Sequence, residues 1–194
     1  MLTKVLEQVS EVIPGYAFRG AIKDSSNGTL CLAQASSIQI DELYVNASTF
    51  RKIDQVTART QSYLEKGDVI IASRTSMAGG FKSCVFMGHT LPVLASSSIL
   101  IIRPAVELLS EYLAIYLNSA LGQAELNRDT SGSYIKALLR KQLLAIPIPI
   151  PDQTQQETLI KLHKNTTDQN KLLEEKIHIH KNIVQAALIN TLNK

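Results

Sequence analysis

LLAIPIPIPDQTQQETLIKLHKNTTDQNKLLEEKIHIHKNIVQAALINTLNK, residues 143–194, divides into two parts with opposite backbone demands. Pro147, Pro149 and Pro151 alternate with Ile148 and Ile150, and no proline can supply the N–H that a helix interior needs. That part reads as an extended or polyproline-like edge segment. From Asp152 onward there is neither proline nor glycine. Asp152 is a good N-cap, and Gln155 three residues on, like Thr154 with Glu157, fits the capping-box pattern. The spacing predicts one long helix, about 60 Å at the standard rise.

Along that helix Leu159, Leu162, Thr166, Asn170, Leu173, Ile177, His180, Val184 and Leu188 recur at steps of three and four. Lys161, Lys164, Lys171, Glu175 and Lys181 form the polar back. One apolar stripe with a polar back needs a neighbour. That neighbour is either another chain's helix or the head of the same chain. No second long helix is available within the sequence, which favours self-association or partner binding through these nine positions. Thr166, Asn170 and His180 on the stripe cost stability but fix register. The spacing leans toward eleven-residue repeats, which argues against a regular left-handed zipper.

With 194 residues the chain holds one core of ordinary size plus this rod. Twenty Lys and Arg against 17 Asp and Glu give a net charge of +3, so no basic tail drives binding. A nucleic-acid binder of this composition must gather its cations on one face. Cys31 and Cys84 stand far apart in apolar stretches and read as buried free thiols in a reducing cytoplasm. The apolar pattern of residues 1–13 carries Lys4, Glu7 and Glu11, unlike a signal peptide. No run approaches membrane-spanning length. A soluble, cytoplasmic protein is expected.

Taken in order, residues 3–13 place Val5, Leu6, Val9, Val12 and Ile13 on one side of a short helix that Pro14-Gly15 stops. Residues 29–40 alternate roughly as a strand, and residues 46–52 are polar. Residues 64–74 read as a turn feeding a buried strand, which delivers Arg74, Thr75 and Ser76 into a loop closed by Gly79-Gly80. Two more strand-like runs cover 83–87 and 91–103. Helices are expected at 107–121, 122–127 and 135–144, with a polar loop from Arg128 to Tyr134 between the last two. The fold class is α/β (α+β): a head with a small, mainly antiparallel sheet and short helices, then the long helix.

No catalytic set assembles from these residues. Ser131-Gly132-Ser133 lacks the glycines of a nucleophile elbow. His178 and His180, two apart on a helix, point to different sides and cannot share a metal. His89 stands alone, and no phosphate-binding glycine loop or zinc-spaced cysteine pair is present. Asp68 after Lys66-Gly67 reads as ordinary turn chemistry. Binding chemistry is easier to find. Polar loops present Arg19, Lys23, Arg51, Lys52, Arg59, Arg74, Lys82, Arg128 and Lys136 among side chains able to read base edges. Singly each is a solvated charge; only a shared face would make them an interface.

The order of features resembles one half of a type I restriction–modification DNA specificity (S) subunit. The residues carrying the resemblance are Leu6-Glu7-Gln8-Val9-Ser10-Glu11-Val12-Ile13-Pro14-Gly15-Tyr16-Ala17-Phe18-Arg19-Gly20 and Leu64-Glu65-Lys66-Gly67-Asp68-Val69-Ile70-Ile71. Glu111-Tyr112-Leu113-Ala114-Ile115-Tyr116-Leu117-Asn118-Ser119, Ser131-Gly132-Ser133-Tyr134-Ile135 and the proline segment running into Gln155-Gln156-Glu157 complete it. Family members usually carry two target recognition domains, each followed by a long helix, and the two helices pack antiparallel as a spacer. This sequence has one of each. Its junction reads Ile-Pro-Asp-Gln-Thr-Gln-Gln where the family often has a Pro-Pro-Leu-x-Glu-Gln run.

The resemblance implies a target recognition domain over 1–150 and a spacer helix over 151–194. It implies recognition of double-stranded DNA on behalf of a methyltransferase subunit, and in some assemblies a restriction subunit. S-adenosylmethionine would then sit on the methyltransferase, with no cofactor or catalysis in this chain. The implied DNA-binding residues are Arg19, Lys23, Arg74, Thr75, Ser76, Lys82, Arg128, Ser131, Ser133, Tyr134 and Lys136. A homodimer through the stripe would recreate the family's two-domain layout on a bipartite site. The rival reading is a protein-interaction module with an α/β head and an assembling helix, which dispersal of the cations would favour.

Overall fold

The computed structural model describes residues 2–39, 42–54, 60–76, 80–128 and 135–192. In chain order the strands and helices are β1 (Leu2–Val5), β2 (Ser10–Pro14), β3 (Leu30–Ala33), β4 (Arg51–Ile53), β5 (Val69–Ala72), β6 (Arg74–Ser76), β7 (Ser83–Val85), β8 (Val93–Ala95) and β9 (Ile99–Pro104). Then come α1 (Ser110–Asn118), α2 (Ala120–Asn127), β10 (Ile135–Ala137), α3 (Arg140–Leu144), β11 (Pro147–Ile150) and α4 (Gln153–Leu192). Short 3-10 turns cover Leu6–Gln8, Ala35–Ser37, Ala47–Thr49 and Thr60–Ser62. Two compact units result, Met1–Gln156 and Glu157–Lys194.

Val69-Ile70-Ile71-Ala72 is buried at every position, as an inner strand with both faces covered must be. It lies third in a four-stranded antiparallel sheet of order β2-β9-β5-β7. Successive side chains point to opposite faces. Ile13, Ile70, Ala72, Ile99 and Ile101 therefore share one face and pack with Cys31, Ala33, Val93 and Ala95 of a second sheet, β4-β3-β8. That second sheet carries a parallel pair, β3 with β8, whereas the other strand pairs among the described residues are antiparallel. On the other face α1 packs against β5 and β7, burying Leu113 and Leu117 completely. Asn118 locks this contact: its Oδ1 accepts from the Ser83 N–H at 3.0 Å and its Nδ2 donates to the Ser83 carbonyl at 2.8 Å.

Both cysteines are buried, as the sequence suggested. Burial pushes the Cys84 thiol up to about 12 and also raises Cys31, against a weaker opposing effect of the Lys52 charge.

The proline segment forms an edge strand, β11, paired antiparallel with β1. Residues of a strand face the partner alternately, so Ile148 and Ile150 can serve the ladder while Pro147 and Pro149 turn away. Their outward carbonyls are met by tyrosines one helical turn apart: Tyr116 Oη donates to Pro147 O and Tyr112 Oη to Pro149 O, each at 2.9 Å. The helix then starts where the capping signal places it. Asp152 Oδ1 accepts from the Gln155 N–H at 2.8 Å, and α4 runs for 40 residues. Buried Gln156 accepts from the Leu109 N–H at 2.9 Å and donates to the carbonyls of Glu107 and Pro151 at 3.0 Å, so its amide is satisfied on both atoms.

Three sequence expectations are corrected. Residues 3–13 are not a helix but β1, a 3-10 turn and β2. Their run is too short and too rich in valine and isoleucine to hold a helix against two available sheet edges. Arg74, Thr75 and Ser76 do not lie in a loop; they form β6, which follows β5 after a bend at Ser73. Residues 135–144 are not one helix but β10 followed by the five-residue α3, because β10 pairs with β6.

Asp68 is more than turn chemistry. It closes the turn by accepting from the Glu65 N–H at 2.8 Å, with Gly67 at φ +94 supplying the left-handed residue. Its carboxylate, 1% exposed, also takes Arg103 in a bidentate pair, Nε–Oδ1 2.8 Å and Nη2–Oδ2 2.9 Å. Glu65 closes on the same guanidinium at 2.9 Å. The bond to Asp68 raises the pKa of Arg103, partly opposed by burial.

Candidate nucleic-acid interface

Arg74-Thr75-Ser76, expected in a loop, and Ile135-Lys136-Ala137, expected in a helix, meet in one ribbon. β6 and β10 pair antiparallel with Ile135 opposite Ser76, Lys136 opposite Thr75 and Ala137 opposite Arg74. The ladder continues into the head through the Leu138 N–H, which donates to the Ser73 carbonyl at 2.8 Å. Thr75 Oγ1 donates to Gly80 O at 3.1 Å. Lys136 Nζ donates to Asn127 Oδ1 at 2.9 Å, tying the ribbon to the last turn of α2. Asn127 is in turn held by its own Nδ2, which donates to Gln123 O at 2.7 Å.

Arg128 follows directly at the C-cap of α2, exposed and ion-paired with Glu125. Lys82, half-buried, stands at the root of the ribbon, where its carbonyl accepts from the Ala72 N–H at 3.0 Å. Arg74, Lys82, Arg128 and Lys136 are thus brought to one part of the head by β5–β6, the start of β7, α2 and β10.

Other predicted cations are not gathered there. Arg19 and Lys23 lie exposed between β2 and β3, and no hydrogen bond or ion pair among the described residues ties them to the ribbon. In the same segment Arg51 Nε meets Asp24 at 2.6 Å, and Lys52 lies exposed on β4. Ser131, Ser133, Tyr134 and Arg59 lie outside the described residues. Arg103, which the sequence did not single out, is occupied by Asp68 and Glu65 inside the head. Ile135, missed because it was assigned to a helix, is 58% exposed on the ribbon.

On α4 the expected stripe is exposed throughout: Leu159 43%, Leu162 63%, Leu173 57%, Ile177 54%, Val184 59% and Leu188 56%. Asn170 and His180 are exposed as well, and Thr166 returns its hydroxyl to Leu162 O at 3.0 Å. The sequence reading missed a neighbouring strip. Leu172, Ile179 and Ile183 are 66%, 48% and 59% exposed, and at about 100° per residue they widen the apolar arc to roughly half the circumference. No described helix is long and apolar enough to cross a membrane.

A head of small antiparallel sheets followed by a single long helix is an architecture also found in solved specificity subunits. A chain from a type I R-M system assembly matches with a TM-score of 0.67 at 20% identity, over 90% of this chain and 40% of that one. The HsdS subunit from Thermoanaerobacter tengcongensis matches with a TM-score of 0.64 at 18% identity, over 90% and 39%. The S subunit of a type I restriction–modification system from M. genitalium gives 0.55 at 11%, over 93% and 42%. The chain spans about two fifths of the length of each. No curated protein matches it. The family model described as type I restriction modification DNA specificity domain matches residues 3–179, and the chain belongs to that family.

Proposed function

We propose that this chain reads DNA sequence for a type I restriction–modification assembly, residues 1–150 acting as the target recognition domain and 151–194 as the spacer helix. The carrying observation is the β6–β10 ribbon. It carries Arg74 on its outer face and through Lys136 is tied to the end of α2, where Arg128 lies, on a member of a DNA specificity family. Four of the named cations, Arg74, Lys82, Arg128 and Lys136, come to one part of the head, which favours this reading over a protein-interaction module, although Arg19, Lys23, Arg51 and Lys52 do not join them. The duplex is contacted by Arg74, Ser76, Lys82 and Arg128, with Thr75 and Lys136 supporting the ribbon from the head side and Arg19 and Lys23 as clamps on the phosphate backbone. Methyl transfer and cleavage belong to partner subunits in the same cytoplasm, the methyltransferase holding S-adenosylmethionine.

The stripe on α4 pairs with a second such helix, most simply that of a second copy running antiparallel. A single neighbour covers an arc of about 100°, so the wider apolar arc also leaves room for a partner subunit.

Arg74→Ala and Arg128→Ala should each weaken duplex binding by the assembled complex. Stability should change by less than about 0.5 kcal/mol, as for most surface changes. A lost phosphate contact would lower the salt slope by about one unit, whereas a lost base contact would relax preference at one position by about 1–3 kcal/mol. If neither variant alters binding to any duplex, the ribbon is not the reading surface.

A further inference from the structure

The ribbon has two unlike faces. Directly opposed residues of an antiparallel pair share a face, and successive residues alternate. The register therefore puts Thr75 and Lys136 on one face and Arg74, Ser76, Ile135 and Ala137 on the other. Thr75 and Lys136 are half-buried and spend their polar groups inside the head, on Gly80 O and Asn127 Oδ1. The other four are all exposed. Lys136, predicted from sequence to touch DNA, is instead bonded to the head.

The outward quartet offers one guanidinium, one hydroxyl and two apolar groups within a two-stranded strip. Phosphate binding alone would not call for Ile135 and Ala137. A base-pair edge in the major groove would: it presents acceptors for arginine, either role for serine, and the thymine C5-methyl for an apolar side chain. The groove, about 12 Å wide, admits a two-stranded ribbon. Arg74 on this face, with exposed Arg128 at the end of α2, supplies the positive charge that a duplex requires.

We propose that the outward face of β6–β10 enters the major groove, with Ile135 a specificity-determining residue packed on a thymine methyl and Lys136 a positioning residue that holds the ribbon on α2. The proposal rests on the DNA-recognition reading above and goes further by dividing the ribbon's residues into readers and supports.

Deoxyuridine tests it, because it removes the methyl and keeps the base pair. Duplexes are first selected from a random pool by the full chain in its assembled complex, and each thymine of the selected site is then replaced in turn. For the wild type, replacement at one or more positions in the site should weaken binding about fourfold, the worth of one buried methyl group. Ile135→Ala, an exposed change that leaves the fold intact, should erase that sensitivity at one such position and leave the rest. Lys136→Ala should weaken all duplexes alike without altering preference. Unchanged uracil sensitivity in Ile135→Ala, or no sensitive thymine in the wild type, overturns the groove assignment while sequence recognition stands. Loss of a partner subunit from Ile135→Ala with DNA preference intact would make the ribbon a protein-docking face and overturn it equally. If the wild type enriches no sequence at all, the recognition reading falls too.

Discussion

Asp68→Ala should destabilise the head by about 3–5 kcal/mol, the cost of breaking a buried ion pair from one side. The substitution removes the bidentate partner of Arg103, leaving it only the exposed Glu65 as an ion pair, and leaves the Glu65 N–H without its acceptor. A useful contrast is Lys4→Met, which removes the exposed pair between Lys4 and Glu107 at 2.7 Å. Pairs of that kind contribute about 0–1 kcal/mol. Urea unfolding of the two variants side by side separates them. If Asp68→Ala lowers the midpoint no more than Lys4→Met, the buried pair does not hold the sheet to its turn.

Leu173→Glu should separate two chains that otherwise associate. Leu173 is 57% exposed at the middle of a stripe running from Leu159 to Leu188, and so long an apolar surface is unfavourable in water. In an antiparallel two-fold pair each copy would place its glutamate in the seam, at a desolvation cost of roughly several kcal/mol per charge. The head has its own core and should stay folded. Sedimentation at micromolar concentration reads the outcome: a dimer for the wild type and a monomer for Leu173→Glu. A wild-type chain that is monomeric there, with the variant unchanged, rules out pairing through this stripe. A different second half recovered in the complex would preserve the helix pairing and remove the two-fold symmetry.

The end of the chain was legible because each of its signals is local. Three alternating prolines, an aspartate cap and forty residues free of proline and glycine leave the backbone few alternatives. The start was not. Val5, Leu6, Val9, Val12 and Ile13 fit a helix stripe, yet two sheet edges far along the sequence, β11 and β9, claim the backbone instead. The same reason hid the ribbon. Nothing local to Ile135-Lys136-Ala137 announces a strand, and its partner lies some 60 residues earlier. Cations could be picked out by type, but not which of them are free. Arg103 is held by Asp68, and Lys136 by Asn127, through contacts between residues distant in sequence or in different elements. Arg74 is exposed, but on a strand rather than in the loop that the sequence suggested.

Selection of duplexes from a random pool by the full chain, co-expressed with a type I methyltransferase subunit, tests sequence recognition most directly. Two identical heads related by a two-fold axis must read identical half-sites in inverted orientation. The result predicted is an enriched bipartite palindrome with a fixed gap, lost when Arg74 and Arg128 are both replaced by alanine. A bound pool whose sequences remain as random as the input would contradict it.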